Sequence, residues 1–223
     1  MTISLVRRLG SEFLGTAFLV AAVVGSGIMG ERLAGGNAAL ALLVNTIATA
    51  AALAALILTF RPISGAHLNP MVSMAEAFLG GMRRREACFY IIAQVSGGIF
   101  GVACADIMFA LPAFSLSHHV RTGAPQWFSE FVATFGLILV IRSCSRFEQE
   151  WLPVAVACYI AAAYWFTAST SFANPAVTIA RSLSDTFAGI RPADVGPFIA
   201  AQLCGGFSAI LVLEWLGAGS SDA

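Results

Sequence analysis

The chain has 223 residues, 58% of them hydrophobic and only 11% charged, with a mean hydropathy of +0.83 and a formal net charge of zero. Soluble domains carry about 25% charged residues, so this composition belongs to an integral membrane protein. Without a basic face or block there is no footprint for nucleic acid, and the basic residues are all arginine, a bias that suggests a GC-rich bacterial genome.

A membrane-crossing helix needs roughly 20 apolar residues. Glu12 to Met29 supplies the first. It is too long for the apolar part of a secretory signal and further spans follow it, so it reads as transmembrane. Leu40 to Phe60 gives the second span. A short helix is predicted from Asn69 to Leu79, stopped by Gly80-Gly81, and Ala87 to Phe109 gives the third span. Leu111 to Gln126, with Pro112, Gly123 and Pro125, reads as a loop between two halves. Trp127 to Ile141 begins the fourth span and Leu152 to Thr167 forms the fifth. A second short helix is predicted from Asn174 to Leu183, and Val195 to Leu216 forms the sixth span. The polar tail Gly217 to Ala223 is expected to leave no room for a further domain. Cys88, Cys104, Cys144, Cys158 and Cys204 show no metal-ligand spacing and are expected to be small buried hydrophobes.

The short helices cannot span, because eleven residues at 1.5 Å cover only about 16 Å of a ~30 Å hydrocarbon core. They can dip in and return if their non-helical backbone is buried in protein or lines a wet cavity. The sequence also repeats. Ser11-Glu12-Phe13-Leu14-Gly15-Thr16 is answered by Ser129-Glu130-Phe131-Val132-Ala133-Thr134, and Ala93-Gln94-Val95-Ser96-Gly97-Gly98 by Ala201-Gln202-Leu203-Cys204-Gly205-Gly206. Each half, about 5–110 and 127–216, thus holds three spans and one half-helix. An odd number of crossings inverts the second half relative to the first. Placing both termini in the cytoplasm puts Arg7, Arg8, Arg61, Arg83, Arg84, Arg85, Arg142 and Arg146 inside and leaves Arg32, Arg121, Arg181 and Arg191 outside, which satisfies the positive-inside rule.

Asn69-Pro70-Met71 and Asn174-Pro175-Ala176 open the two half-helices. Asn is a favoured N-cap and Pro a favoured first helical residue. A helix N-terminus carries unpaired N–H groups and roughly half a positive charge. Two such tips meeting at mid-membrane, with the Asn69 and Asn174 amides as donors, would suit neutral solutes and repel protons and metal cations.

These residues resemble the aquaporin/aquaglyceroporin family. The resemblance rests on the run Ser64 to Pro70, on Ala173-Asn174-Pro175-Ala176 and on the twin Glu-x-x-x-Thr openings, and it covers essentially the whole chain. It implies an all-α fold of six tilted spans and two re-entrant half-helices, one pore per subunit, a homotetramer in the bilayer, and no cofactor, metal or enzymatic activity. Mapped onto this sequence, the family's selectivity filter falls on Thr49, Ala162 (or Ala163), Ser171 and Val177. Most relatives carry arginine at the last position. Valine there, among small neighbours, suggests a wide, uncharged mouth for solutes with hydroxyls and an apolar part. Met71, in place of the usual alanine, reads as a packing adjustment. Arg181, four residues beyond Val177, is expected to contact a loop or lipid headgroup.

An arginine-free filter resembles the aquaporins encoded beside bacterial arsenic-resistance genes. That likeness implies an inner-membrane channel conducting arsenite and methylated arsenicals besides glycerol and water. The alternatives are a general glycerol/water facilitator, an ammonia or urea pore, or an ion-coupled transporter. The transporter would need an acid beside the tips. Glu12 and Glu130 are read as loop-bracing acceptors, and His67 likewise as bracing the first loop. His118 and His119 are expected to be solvated, and Asp106 and Glu214 to sit at the interface or pore end. Gly97, Gly98, Gly205 and Gly206 are expected to allow close helix approach.

Overall fold

Eight α-helices follow one another with no strand among the described residues, and the computed structural model describes residues 3–217. They are α1 (Leu5–Leu33), α2 (Ala38–Ser64), α3 (Pro70–Phe78), α4 (Arg84–Met108), α5 (Ala124–Phe147), α6 (Leu152–Phe166), α7 (Pro175–Arg181) and α8 (Pro192–Trp215). The predicted tail falls, apart from Gly217, outside the described residues. The long helices run several residues beyond the apolar windows because backbone hydrogen bonding continues through the interface after hydropathy has faded. Capping sets the starts that matter. The Asn37 side chain accepts from the Leu40 N–H, Asn69 from Met71, and Asn174 from Ala176 and Val177. Gly65, at φ +90°, ends α2 and turns the chain into the first re-entrant loop.

Five helices, α1, α2, α4, α5 and α8, are long and apolar enough to cross a membrane. The sixth crossing is compound. α6 has only 15 residues, or about 22 Å. The turn of 3-10 helix Gln149–Trp151 before it adds about 6 Å, which brings the pair near the thickness of the hydrocarbon core. Large apolar side chains such as Phe18, Leu58, Ile92, Trp165 and Leu211 point outward. On a membrane protein that surface is the lipid-facing one. The same inversion corrects the expectation for the cysteines, since Cys88, Cys158 and Cys204 are exposed on the apolar exterior, while Cys104 and Cys144 are half-buried.

α1 packs on α4 and α2, α5 packs on α8 and α6, and α2 meets α6. The close pairs need glycine. A Cβ at Gly97 would strike the Phe13 carbonyl, and one at Gly205 the Phe131 carbonyl, the corresponding atom in the other half. The short helices do not stay within their own halves. α7 docks mainly on α4, and α3 reaches α8.

Candidate functional site

The tips of α3 and α7 touch, and side chains make the joint. Asn69 Nδ2 donates to the Ala173 carbonyl and Asn174 Nδ2 to the Leu68 carbonyl, both at 2.8 Å. Each Oδ1 meanwhile caps its own helix. An amide nitrogen has two hydrogens, so each asparagine keeps one N–H beyond the crossed bond.

The loops leading to these tips are strained. Ala66 and Leu68 in the first, and Thr170, Ser171 and Ala173 in the second, hold φ between +48° and +60°. Each such non-glycine residue costs roughly 1–3 kcal/mol and persists only where its surroundings enforce it. Buried carboxylates do so. Glu12 accepts from the His67 and Leu68 N–H groups at 3.0 and 2.7 Å, from Ser64 Oγ at 2.6 Å and from Gln94 Nε2 at 2.8 Å. Glu130 accepts from the Phe172 and Ala173 N–H groups, both at 2.9 Å, and from Gln202 Nε2 at 2.6 Å. The glutamines reach onward to Ser73 Oγ and Thr178 Oγ1 on the half-helices. His67 Nδ1 lies 3.0 Å from Ser73 Oγ, and its ring packs on Tyr90.

A cavity of about 720 Å³ runs past the joined tips. At one mouth stand Arg61, His67, Glu76, Arg142, Arg146 and Glu214, with Arg142 and Glu76 paired at 2.8 Å. Asn69 and Asn174 line the middle, among Leu53, Ile57, Leu137, Val156 and Ile160. At the other mouth stand Thr49, Tyr164, Ser171, Phe172, Val177 and Arg181. Pro70, Met71, Pro175 and Ala176 are buried behind the wall rather than in it. Met71 is fully buried, with its thioether against Gly206. Asp106 is fully buried, not interfacial, and accepts from Ser184 Oγ at 2.8 Å.

The filter mapping needs one correction. Thr49, Ser171 and Val177 line the second mouth, but Ala162 is exposed on the outer face of α6, and Ala163 is buried without reaching the cavity. At about 100° per residue, two positions turn a side chain to the opposite face. The residue presented inward is therefore Tyr164, whose hydroxyl lies 3.4 Å from Thr49 Oγ1. The Ser171 hydroxyl is buried in the wall with no intramolecular partner.

Nor is this mouth uncharged. Arg181 Nε donates to the Ala188 carbonyl, its guanidinium carbon lies 3.4 Å from the centre of the Phe172 ring, and the side chain lines the cavity. Arg121, from the loop between α4 and α5, approaches the same ring at 5.0 Å and donates to the Gly189 and Ser169 carbonyls. Burial pushes Arg121 down to about 10. That loop lies on the segment following α7, with Ser115 and Ser117 N–H groups donating to Leu183 and Ser182 carbonyls. His118 pairs with Asp185 there, and those hydrogen bonds hold the Asp185 carboxyl below its usual range. Burial, then the charges of Arg121 and Arg181, hold His119 below its ordinary value. Tyr164, Phe172 and Arg121 were not singled out by sequence reasoning. Among the described residues no group of side chains is arranged to hold a metal ion.

The comparisons agree with this architecture. The family model of the major intrinsic proteins matches residues 1–151. An aquaglyceroporin, AqpS, of Rhizobium meliloti is 53% identical over 95% of this chain and 91% of its own length. An aquaporin of the NIP type, NIP3-1, from Oryza sativa is 33% identical over 63% of this chain and 45% of its own length. The X-ray structure of the aquaglyceroporin from Plasmodium falciparum superposes with a TM-score of 0.76, covering 95% of this chain and 96% of that one at 21% identity, which speaks for the fold alone. The chain belongs to the major intrinsic protein family, in its aquaglyceroporin branch, and is a membrane channel rather than an enzyme.

Proposed function

We propose that this channel passes arsenite, as neutral As(OH)3, and methylated arsenicals, together with glycerol and water, and that it serves metalloid resistance in a bacterial inner membrane. The observation that carries the reading is Val177. It stands in the cavity wall where the family usually places arginine, facing a largely aliphatic passage with hydroxyl groups on the lining residues Thr49 and Tyr164. A methylated arsenical has hydroxyls and a greasy side, and this wall offers a partner to each. The filter is then formed by Thr49, Tyr164, Ser171 and Val177. Pore-tip donors come from Asn69 and Asn174, and Glu12, Glu130 and His67 brace the loops. The chain is read as one channel unit of two inverted halves, about 5–110 and 127–216, with both termini cytoplasmic and four copies to an assembly.

The test is an uptake panel in proteoliposomes of water, glycerol, arsenite and mono- and dimethylated arsenicals. The reading expects all of them to equilibrate, with arsenicals at least comparable to glycerol. Passage of water and glycerol with arsenicals at the empty-vesicle rate would reduce it to a glycerol facilitator. Uphill accumulation driven by an ion gradient would replace it with a coupled transporter. Mass measurement in detergent checks the tetramer.

A further inference from the structure

We infer that Arg181 supplies the fixed positive charge of the outer mouth, one helical turn beyond Val177, and so determines that the pore excludes protons and other cations. The inference rests on the proposed passage of neutral solutes and adds what keeps charged ones out.

Position is the first ground. Arg181 is the last residue of α7 and stands in the cavity wall beside Phe172 and Val177. Four residues of helix separate it from Val177 by about 6 Å along the axis. A solute that passes the valine goes on past the Arg181 side chain, which lines the same cavity.

Charge is the second ground. None of the ion pairs among the described residues includes Arg181. Its Nε is held by a neutral carbonyl, that of Ala188, and its face by the Phe172 ring. Both partners fix the group without cancelling its charge. Glu130, a carboxylate of the same half, is hydrogen-bonded to the Phe172 and Ala173 N–H groups and to Gln202; it keeps its negative charge and offsets part of the field, but it forms no ion pair with Arg181. Arg121 adds a second guanidinium on the Phe172 ring and makes the field more positive. A charge paired with a carboxylate would act on a passing ion as a weak dipole. One held by a carbonyl and an aromatic face acts as a charge, in a water-poor passage where Coulomb forces are screened least.

Immobilisation is the third ground. An arginine free to swing would follow the solute, whereas stacking and the Ala188 bond hold this one against the wall. The site therefore keeps its repulsion without narrowing at 177, which leaves room for a bulky neutral solute.

The experiment compares wild type, Arg181→Gln and Arg181→Lys in proteoliposomes, reading glycerol uptake and the decay of an imposed pH gradient in the same vesicles. Wild type and R181K are expected to hold the gradient while passing glycerol. R181Q is expected to pass glycerol within about twofold of wild type yet to dissipate the gradient on the order of tenfold faster, the change expected from losing one nearby charge. Equal decay in wild type and R181Q would overturn the assignment, as would a wild-type channel that already leaks protons. Loss of glycerol flux in both R181Q and R181K would also overturn it, making Arg181 a strut for the segment after α7. If the wild type passes no glycerol, the neutral-solute reading fails separately, and gradient decay against empty vesicles still reports on Arg181.

Discussion

Asn69 and Asn174 each bond to the loop of the opposite half, at the same 2.8 Å distance, so that each re-entrant tip is completed by the other. Asn69→Ala removes the cap of α3 and the crossed bond together. Each is worth about 1 kcal/mol, giving a loss of roughly 2 kcal/mol. Asn174→Ala should cost the same. Because both variants break the same joint, the double variant should cost clearly less than the sum. Thermal unfolding in detergent of the two single variants and the double reads this directly, and strict additivity would show the joint not to act as one unit.

Glu12→Gln should be more damaging than its size suggests. The carboxylate takes four donors, two of them N–H groups of a loop held at positive φ. A glutamine offers one acceptor oxygen and turns an NH2 group towards the remaining donors. About 2–4 kcal/mol should be lost, with glycerol flux falling at least about tenfold as the first loop relaxes. Glu130→Gln should do the same through the second loop. A glutamine variant with wild-type flux would remove the bracing role.

Met71→Ala separates packing from selectivity. The side chain is fully buried against Gly206 and does not line the cavity. Truncation should cost about 2–5 kcal/mol as a core cavity while leaving the flux ratio of glycerol to water unchanged. A shifted ratio, measured by stopped-flow light scattering, would place Met71 in the pore after all.

Val177→Arg should reduce flux of glycerol, arsenite and methylated arsenicals sharply and spare water, because it fills the mouth opposite Thr49 and Tyr164. Unchanged arsenical uptake in that variant would show the constriction to lie elsewhere along the cavity.

The loop over the mouth lined by Val177 and Arg181 should loosen in acid. His119 is held below its ordinary pKa of about 6.5, so its neutral form is the one that suits the folded loop. A group depressed in the fold contributes stability that is full above its unfolded pKa and is lost as pH falls through the folded value. Asp185, also depressed, works in the same direction at lower pH. Amide exchange at Ser115 and Ser117, corrected for its intrinsic pH dependence, should therefore quicken between pH 7.5 and 5.5. His119→Asn should flatten that response.

Much of this was legible in the sequence because it depends on local chemistry. Asn-Pro pairs announce helix starts, and an apolar run announces a span whichever way it faces. The matched Glu12 and Glu130 could be read as braces from their repetition. What escaped was rotational phase and reach. Counting from Asn174 points to Ala162 or Ala163 rather than Tyr164, because the count crosses a loop whose path it does not contain. At 100° a residue, an error of two reverses the face. Arg121 gave no signal, since a lone arginine in a polar connection looks solvated until that connection folds back onto the segment after α7. Arg181 was visible as a residue but not as part of the wall, because only its stacking on Phe172 brings it there.

The crossed docking of α7 on α4 and α3 on α8 has a consequence for biogenesis. Ala173, whose carbonyl receives Asn69, follows it by 104 residues. At roughly 5–20 residues per second the ribosome needs about 5–20 s to deliver it. For that interval the first re-entrant loop has its glutamate but not its mate, and the slot on α4 stands unfilled. Insertion of the first half into the bilayer can be complete while its pore is not. The passage comes into being only when the second half arrives, so a truncated nascent chain would leave the membrane with an unfinished fold rather than an open hole.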